Sequence, residues 1–148
     1  MSRPNVTIYT DGSWRRHRNL GAWAALMVCG NQWQIIADTV PRTTISRMEL
    51  SSVINALQHL IVPCNVTIIS DSQYTVKIIN EWLSRWEING FITANNTPVA
   101  NQDLLTQLSQ LAKIHFISAA WVKSHTKNKD VISLGNAVVD EFAQCLTR

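Results

Sequence analysis

A chain of 148 residues, 46% hydrophobic and 16% charged, is ordinary globular material, long enough for one domain with its own core. No stretch is long and apolar enough to cross a bilayer, and the opening MSRPNVTIYTDGS lacks the apolar segment of a signal peptide. Thirteen Lys and Arg face ten acids, and three scattered cysteines (Cys29, Cys64, Cys145) argue against a disulfide framework or a Cys-type zinc site and fit a reducing, intracellular setting in cytoplasm or nucleus.

No repeat, low-complexity tract or linker divides the chain, so residues 1–148 are expected to form a single domain. Residues 6–10 (VTIYT) are β-rich and end at the turn pair Asp11-Gly12. Residues 22–29 and 32–40, divided by Gly30-Asn31, read as a hairpin, giving three early antiparallel strands. A helix follows over 46–62, with Leu50, Val53, Ile54, Leu57, Leu60 and Ile61 at helical spacing and Pro63 just beyond. Residues 65–70 form a short buried strand, 72–80 turn helical, and EWLSRWEINGF continues as helix to about Asn89-Gly90. After a polar loop come a helix near 101–112 and a strand over 114–122. The last helix, about 132–147, has Leu134, Val138, Phe142 and Leu146 at i, i+4 spacing as its apolar stripe. The order βββ-α-β-α-α-α-β-α implies an α/β domain, a mixed sheet with helices on its faces.

Four acids stand out, each with an ordinary alternative. Asp11 is also the first residue of an Asp-Gly turn. Glu49 completes Ser46-Arg47-Met48-Glu49, a capping-box pattern, yet it also borders the apolar stripe of its helix, where a carboxylate needs a cation or hydrogen bonds. Asp71, between a strand and a helix, has the position of an N-cap. Asp140, beside Glu141, suits a solvated helix face. Their joint placement favours a shared site: Asp11 and Asp71 end two strands, and Glu49 opens the helix between them. If those strands are neighbours the carboxylates converge, and such a cluster is tenable with divalent cations. With these four in one pocket, six acids would remain against thirteen basic residues, a basic exterior suited to a polyanion.

The strings TDGS (10–13), RMEL (47–50), SDSQYTV (70–76), WVKSH (121–125) and GNAVVDEFA (135–143) resemble, in order, the signature segments of type 1 ribonuclease H. The resemblance spans Val6 to Ala143 and implies the ribonuclease H-like fold: a five-stranded mixed sheet, its first three strands antiparallel, flanked by helices. It also implies an endoribonuclease that cuts the RNA strand of RNA/DNA hybrids and leaves 5′-phosphate and 3′-hydroxyl ends. Two Mg²⁺ ions, replaceable by Mn²⁺, are implied on Asp11, Glu49, Asp71 and Asp140, with His125 assisting proton transfer or product release. For substrate, the matching residues are Arg42, Thr44 and Asn101 for a DNA phosphate and Gln73 for the minor groove, with Trp82 and Trp86 as the aromatic pair of the family's helical handle. Arg42 also reads as a plain exposed charge and Asn101 as a helix cap. The implied partner is the hybrid, with no membrane or small-molecule substrate; a free-standing chain is expected to be a monomer.

The departures are specific. The handle, EWLSRWEINGFITANN, has one Arg and two Glu where the family clusters basic residues, so it should bind phosphates weakly. The loop after TDGS is WRRHRNL where the family is Gly/Pro-rich; Arg15, Arg16 and Arg18 read either as phosphate contacts or as a solvated basic loop. Ile45 and Ser46 replace a polar amide pair. The fifteen-residue interval from His125 to Asp140 is similar to that of retroviral domains, so a domain of a reverse transcriptase stays open, as does a weak or inactive hybrid-binding module.

Overall fold

The computed structural model describes residues 2–124 and 130–148. Five strands form one sheet in the order β3-β2-β1-β4-β5. β1 (Asn5–Arg15), β2 (Leu20–Cys29) and β3 (Gln32–Pro41) are antiparallel neighbours, while β4 (Asn65–Ser70) joins β1, and β5 (Phe116–Trp121) joins β4, in parallel. The β2–β3 hairpin closes at Cys29↔Gln32 around Gly30-Asn31, with Gly30 at φ 58° supplying the left-handed conformation that a two-residue turn needs. Parallel pairing requires long crossovers, and these are helical. α1 (Ile45–Gln58) lies between β3 and β4; α2 (Gln73–Lys77), a π-helical turn (Ile78–Trp82), α3 (Leu83–Asn89) and α4 (Gln102–Ala112) lie between β4 and β5; α5 (Val131–Thr147) ends the chain.

Strand alternation divides the interior in two. Val6 and Ile8 of β1 join Leu50, Val53, Ile54 and Leu57 of α1 and Leu105 and Leu108 of α4 in the main core. Tyr9, on the other face, joins Ala24, Ile69, Val139 and Ala143 in a smaller core beneath α5.

Several sequence expectations are corrected. Asp11-Gly12 is not a turn: β1 continues to Arg15, pairing Asp11 with Ala24 and Gly12 with Trp23. The parallel ladder with β4 does stop at Thr10↔Ser70, so Asp11 and Asp71 both follow its last pair. α1 ends at Gln58, short of residue 62, because the residue before Pro63 disfavours helical backbone and the chain unwinds ahead of it. Ile61, read at helical spacing with the residues before it, lies past the helix and is 96% exposed, and Leu60 is half-buried. β5 is shorter than the expected 114–122.

The largest correction concerns α5. Leu134, Val138, Phe142 and Leu146 face outward. The buried face is Ser133, Gly135, Asn136, Val139, Ala143 and Thr147. Small residues line it because the helix lies almost on the sheet: a Cβ at Gly135 would come within 2.6 Å of the Tyr9 ring.

Candidate active site

Asp11 leaves the sheet toward α5, where it is 3% exposed; Glu49, in the second turn of α1, is 8% exposed; Asp71, one residue past β4, is half-buried. A carboxylate oxygen from each lies within 4.8 Å of one from the other two. Gly12 makes this possible. Any Cβ there would meet the Glu49 backbone nitrogen at 2.7 Å and Met48 at 2.8 Å, so only glycine lets α1 bring Glu49 against the strand. The sequence motif Asp-Gly thus serves close approach, not a turn.

The ordinary roles considered for two acids belong to neighbours. Thr44, not Ser46, caps α1: its hydroxyl accepts from Arg47 N–H at 3.3 Å, leaving no capping box for Glu49. Ser72, not Asp71, caps α2, accepting from Thr75 N–H at 3.2 Å. A hydroxyl therefore holds the N-cap position of each helix. Asp140, half-buried on α5, reaches the same place through a side-chain hydrogen bond with Asp11.

The electrostatics follow from this crowding. Burial, then the charges of Glu49 and Asp71 and the contact with Asp140, push the Asp11 carboxyl far above the usual carboxylate range. Burial and the Asp71 charge do the same to Glu49, opposed in part by hydrogen bonds from Asp11 and Gly12. Glu49 Oε2 is buried without a hydrogen-bond partner among the described residues. An orphaned carboxylate oxygen within a group of converging carboxylates matches the hard oxygen ligands that Mg²⁺ takes. The donor set fits a divalent cation.

Beside this cluster a second network fixes Asn101, which precedes α4 at φ 60° and, against one expectation, makes no side-chain cap there. Its amide nitrogen donates to Ser46 Oγ (3.2 Å) and Tyr74 Oη (3.3 Å), and its Oδ1 accepts from Arg47 at 3.5 Å. Arg47 also grips Asp103 with two bonds of 3.0 and 2.8 Å, which hold the Asp103 carboxyl down to about 2. Thr44 is exposed at the head of α1, with its hydroxyl 3.3 Å from Ser46 Oγ. Sequence reading missed Arg47, Ser46, Tyr74 and Asp103 as organisers; only the position of Arg47 beside Met48-Glu49 hinted at its part.

Gln73 is exposed on the first turn of α2, one helical start away from Asp71. Trp82 and Trp86 meet along the handle with ring centroids 5.8 Å apart and planes tilted by 53°, and Tyr74 lies edge-on to Trp82 at 6.3 Å. Both tryptophans pack against the main core, so they anchor the handle to the body. Arg15 and Arg18 do not hang free in a loop: Arg15 donates to Gln144 (2.9 Å) and Arg18 to the Thr147 carbonyl (3.3 Å), at the end of α5. His125 lies outside the described residues.

The comparisons with known proteins agree with this architecture. A family model described as RNase H matches residues 3–147. A ribonuclease H of Cupriavidus necator is 43% identical over 142 residues, covering 94% of this chain and 98% of that protein; one of Methylococcus capsulatus is 39% identical over 146 residues, covering 97% and 94%. Among solved structures, LC9-RNase H1, a type 1 RNase H with the type 2 active-site motif, superposes with a TM-score of 0.83 at 23% identity, over 99% of this chain and 74% of that one. The PFV RNase H domain superposes with a TM-score of 0.78 at 22% identity, over 97% and 94%. The mixed sheet and acidic cluster are those of a nuclease, a hydrolase of nucleic acid. The chain belongs to the RNase H family.

Proposed function

We propose that this chain is an endoribonuclease that hydrolyses the RNA strand of RNA/DNA hybrids with two Mg²⁺ ions, leaving 5′-phosphate and 3′-hydroxyl ends. The observation that carries the reading is the convergence of Asp11, Glu49 and Asp71 within 4.8 Å around a buried carboxylate oxygen that lacks a partner, in a chain of this family. Asp11, Glu49, Asp71 and Asp140 are the residues that would hold the cations. The chemistry these ions supply when bound is activation of water and stabilisation of the departing 3′ oxygen. The protein's own part is to orient rigid oxygens from a strand, two helices and a strand end, with no side-chain nucleophile required. His125 is assigned proton transfer or product release, because an imidazole titrates near neutral pH.

Recognition of the hybrid is assigned to backbone contacts rather than base sequence. Arg42, Thr44 and Asn101 take a DNA phosphate; both amide N–H groups of Asn101 are held by Ser46 Oγ and Tyr74 Oη, and one must turn from its partner to reach the phosphate. Gln73 reaches the minor groove. Trp82 and Trp86 position the handle and contact the duplex from it. A foamy viral protease-reverse transcriptase solved in complex with RNA/DNA hybrid shares the fold, with a TM-score of 0.79 at 19% identity over 98% of this chain and 20% of that one. The chain is taken as one catalytic domain, monomeric when free-standing. Its three unbonded cysteines suit a reducing compartment, and among the described residues no helix is long and apolar enough to cross a membrane.

A cleavage assay tests the reading: end-labelled hybrid, duplex RNA and duplex DNA, each with Mg²⁺, Mn²⁺ or EDTA. Cleavage of the RNA strand of the hybrid alone, with either metal and not with EDTA, is expected. Equal cleavage of duplex DNA, or binding to hybrid without any cleavage, would replace it with a DNA nuclease or a binding module.

A further inference from the structure

The turn joining β1 to β2 is an exposed charged surface that the proposed reaction leaves unused. Arg16, His17 and Arg18 form a single 3-10 turn closed by Asn19 at φ 44°, whose N–H bonds back to the Arg16 carbonyl at 3.1 Å. Arg42 stands beside it, also left-handed at φ 53°, and its N–H donates to the Asn19 carbonyl at 2.8 Å. Two adjoining non-glycine residues in this conformation, each costing ~1–2 kcal/mol, bring the last residue before the Thr43-Thr44 segment against the arginine turn. Arg15, Arg16, Arg18 and Arg42 thus gather at one corner of the sheet. From Gly12 to Ala37 the chain contains no Asp or Glu, so no acid of this segment offsets them.

The anchoring matters as much as the charge. Arg15 and Arg18 each give a donor to the end of α5, Gln144 Oε1 and the Thr147 carbonyl. A guanidinium has five N–H donors, so most remain for a ligand while the side chain is already fixed. The Arg16 side chain is exposed, with no partner among the described residues. Arg15 lies four residues along an extended strand from Asp11, ~13 Å. One strand of a duplex rises ~3.4 Å per phosphate, so a backbone passing over the carboxylates reaches this corner a few nucleotides away.

We infer that Arg15, Arg16 and Arg18 form a phosphate-binding shoulder that continues from the Arg42 phosphate site proposed above along the backbone of a bound hybrid, supplying the ionic contact that the handle, with Arg85 between Glu81 and Glu87, does not. The inference rests on the proposed hybrid substrate. It deepens that reading by naming where the salt-dependent part of binding resides.

The test is fluorescence anisotropy of a labelled RNA/DNA hybrid across a NaCl series, with Asp71→Asn protein to prevent cleavage. In that background Arg16→Ala, which removes no anchor on α5, should lower the slope of log K against log[salt] by about 1, and the Arg15/Arg16/Arg18→Ala triple variant by about 2–3, with affinity at least ~10-fold weaker at low salt. Arg16→Lys should keep the slope, and Arg3→Ala, at the opposite end of β1, should leave it unchanged. A wild-type slope in Arg16→Ala overturns the inference, even if the triple variant binds poorly through a loosened α5. Failure of the substrate reading looks different: wild-type protein that does not cleave hybrid, with the same slope change on duplex DNA, keeps a nucleic-acid site and removes the hybrid.

Discussion

α1 and α5 do similar jobs by opposite means. Each carries one acid of the cluster, Glu49 or Asp140, to the same end of the sheet. α1 buries bulk: Leu50, Val53, Ile54 and Leu57 fill the main core, and Met48 is buried as well. α5 buries Ser133, Gly135, Asn136, Val139, Ala143 and Thr147 and turns its large residues outward. The difference reflects distance. α1 meets the sheet through large side chains, with its backbone close at Gly12 and its Met48 side chain close at Gly21, whereas α5 rests on Tyr9 through Gly135 and bonds to Ser13 through Thr147 Oγ1 at 2.9 Å. Apolar periodicity reports the first kind of packing and misreads the second.

The largest effect expected is on activity, where the two helices should behave alike. Glu49→Gln and Asp140→Asn, like Asp71→Asn, should each lower Mg²⁺-dependent hybrid cleavage ~10³-fold or more while the protein stays folded, since each removes several kcal/mol of charge stabilisation. Wild-type rates in Asp140→Asn would confine the site to α1 and the strands. Stability should then separate the helices. Leu57→Ala should destabilise by about 2–5 kcal/mol and Phe142→Ala, 45% exposed, by less than about 0.5 kcal/mol, read from urea denaturation. Equal losses would return the outward stripe of α5 to the interior. Gly12→Ala, which drives a methyl into the α1 backbone, should cost about 1–3 kcal/mol and reduce cleavage as Glu49 is displaced.

A smaller effect concerns pH. Asp11 and Glu49 have folded-state pKa values raised by burial and mutual repulsion. Groups raised in this way favour the fold fully below their unfolded values near pH 4, and that contribution is lost as pH rises through the folded values. Without divalent metal, the melting temperature should therefore fall from pH 5 to pH 8, and Asp11→Asn should flatten the fall. A metal-free profile independent of this substitution would show that the carboxylates do not strain one another.

Much of this was legible in residues alone. The chain order of strands and helices and the β2–β3 hairpin followed from alternation and Gly30-Asn31, and the convergence of Asp11, Glu49 and Asp71 from their places at two strand ends and a helix start. Other features were not, for physical reasons. Asp-Gly signals a turn in most settings, and nothing local shows that a helix backbone lies 2.7 Å from where the Cβ of residue 12 would be. Capping positions slipped by one or two residues because Thr44, Ser46, Asp71 and Ser72 are all competent caps, and only folded geometry chooses between them. The grip of Arg47 on Asn101 and Asp103 joins residues more than fifty positions apart, which no spacing rule reaches.

One measurement bears most directly on the cluster: the melting temperature at pH 8 with and without Mg²⁺, for wild type and Asp71→Asn. Mg²⁺ binding to the folded protein should raise the wild-type value in a concentration-dependent way and have little effect on the variant. An equal Mg²⁺ response in both proteins, or none in wild type, would contradict a divalent-cation site built from these carboxylates.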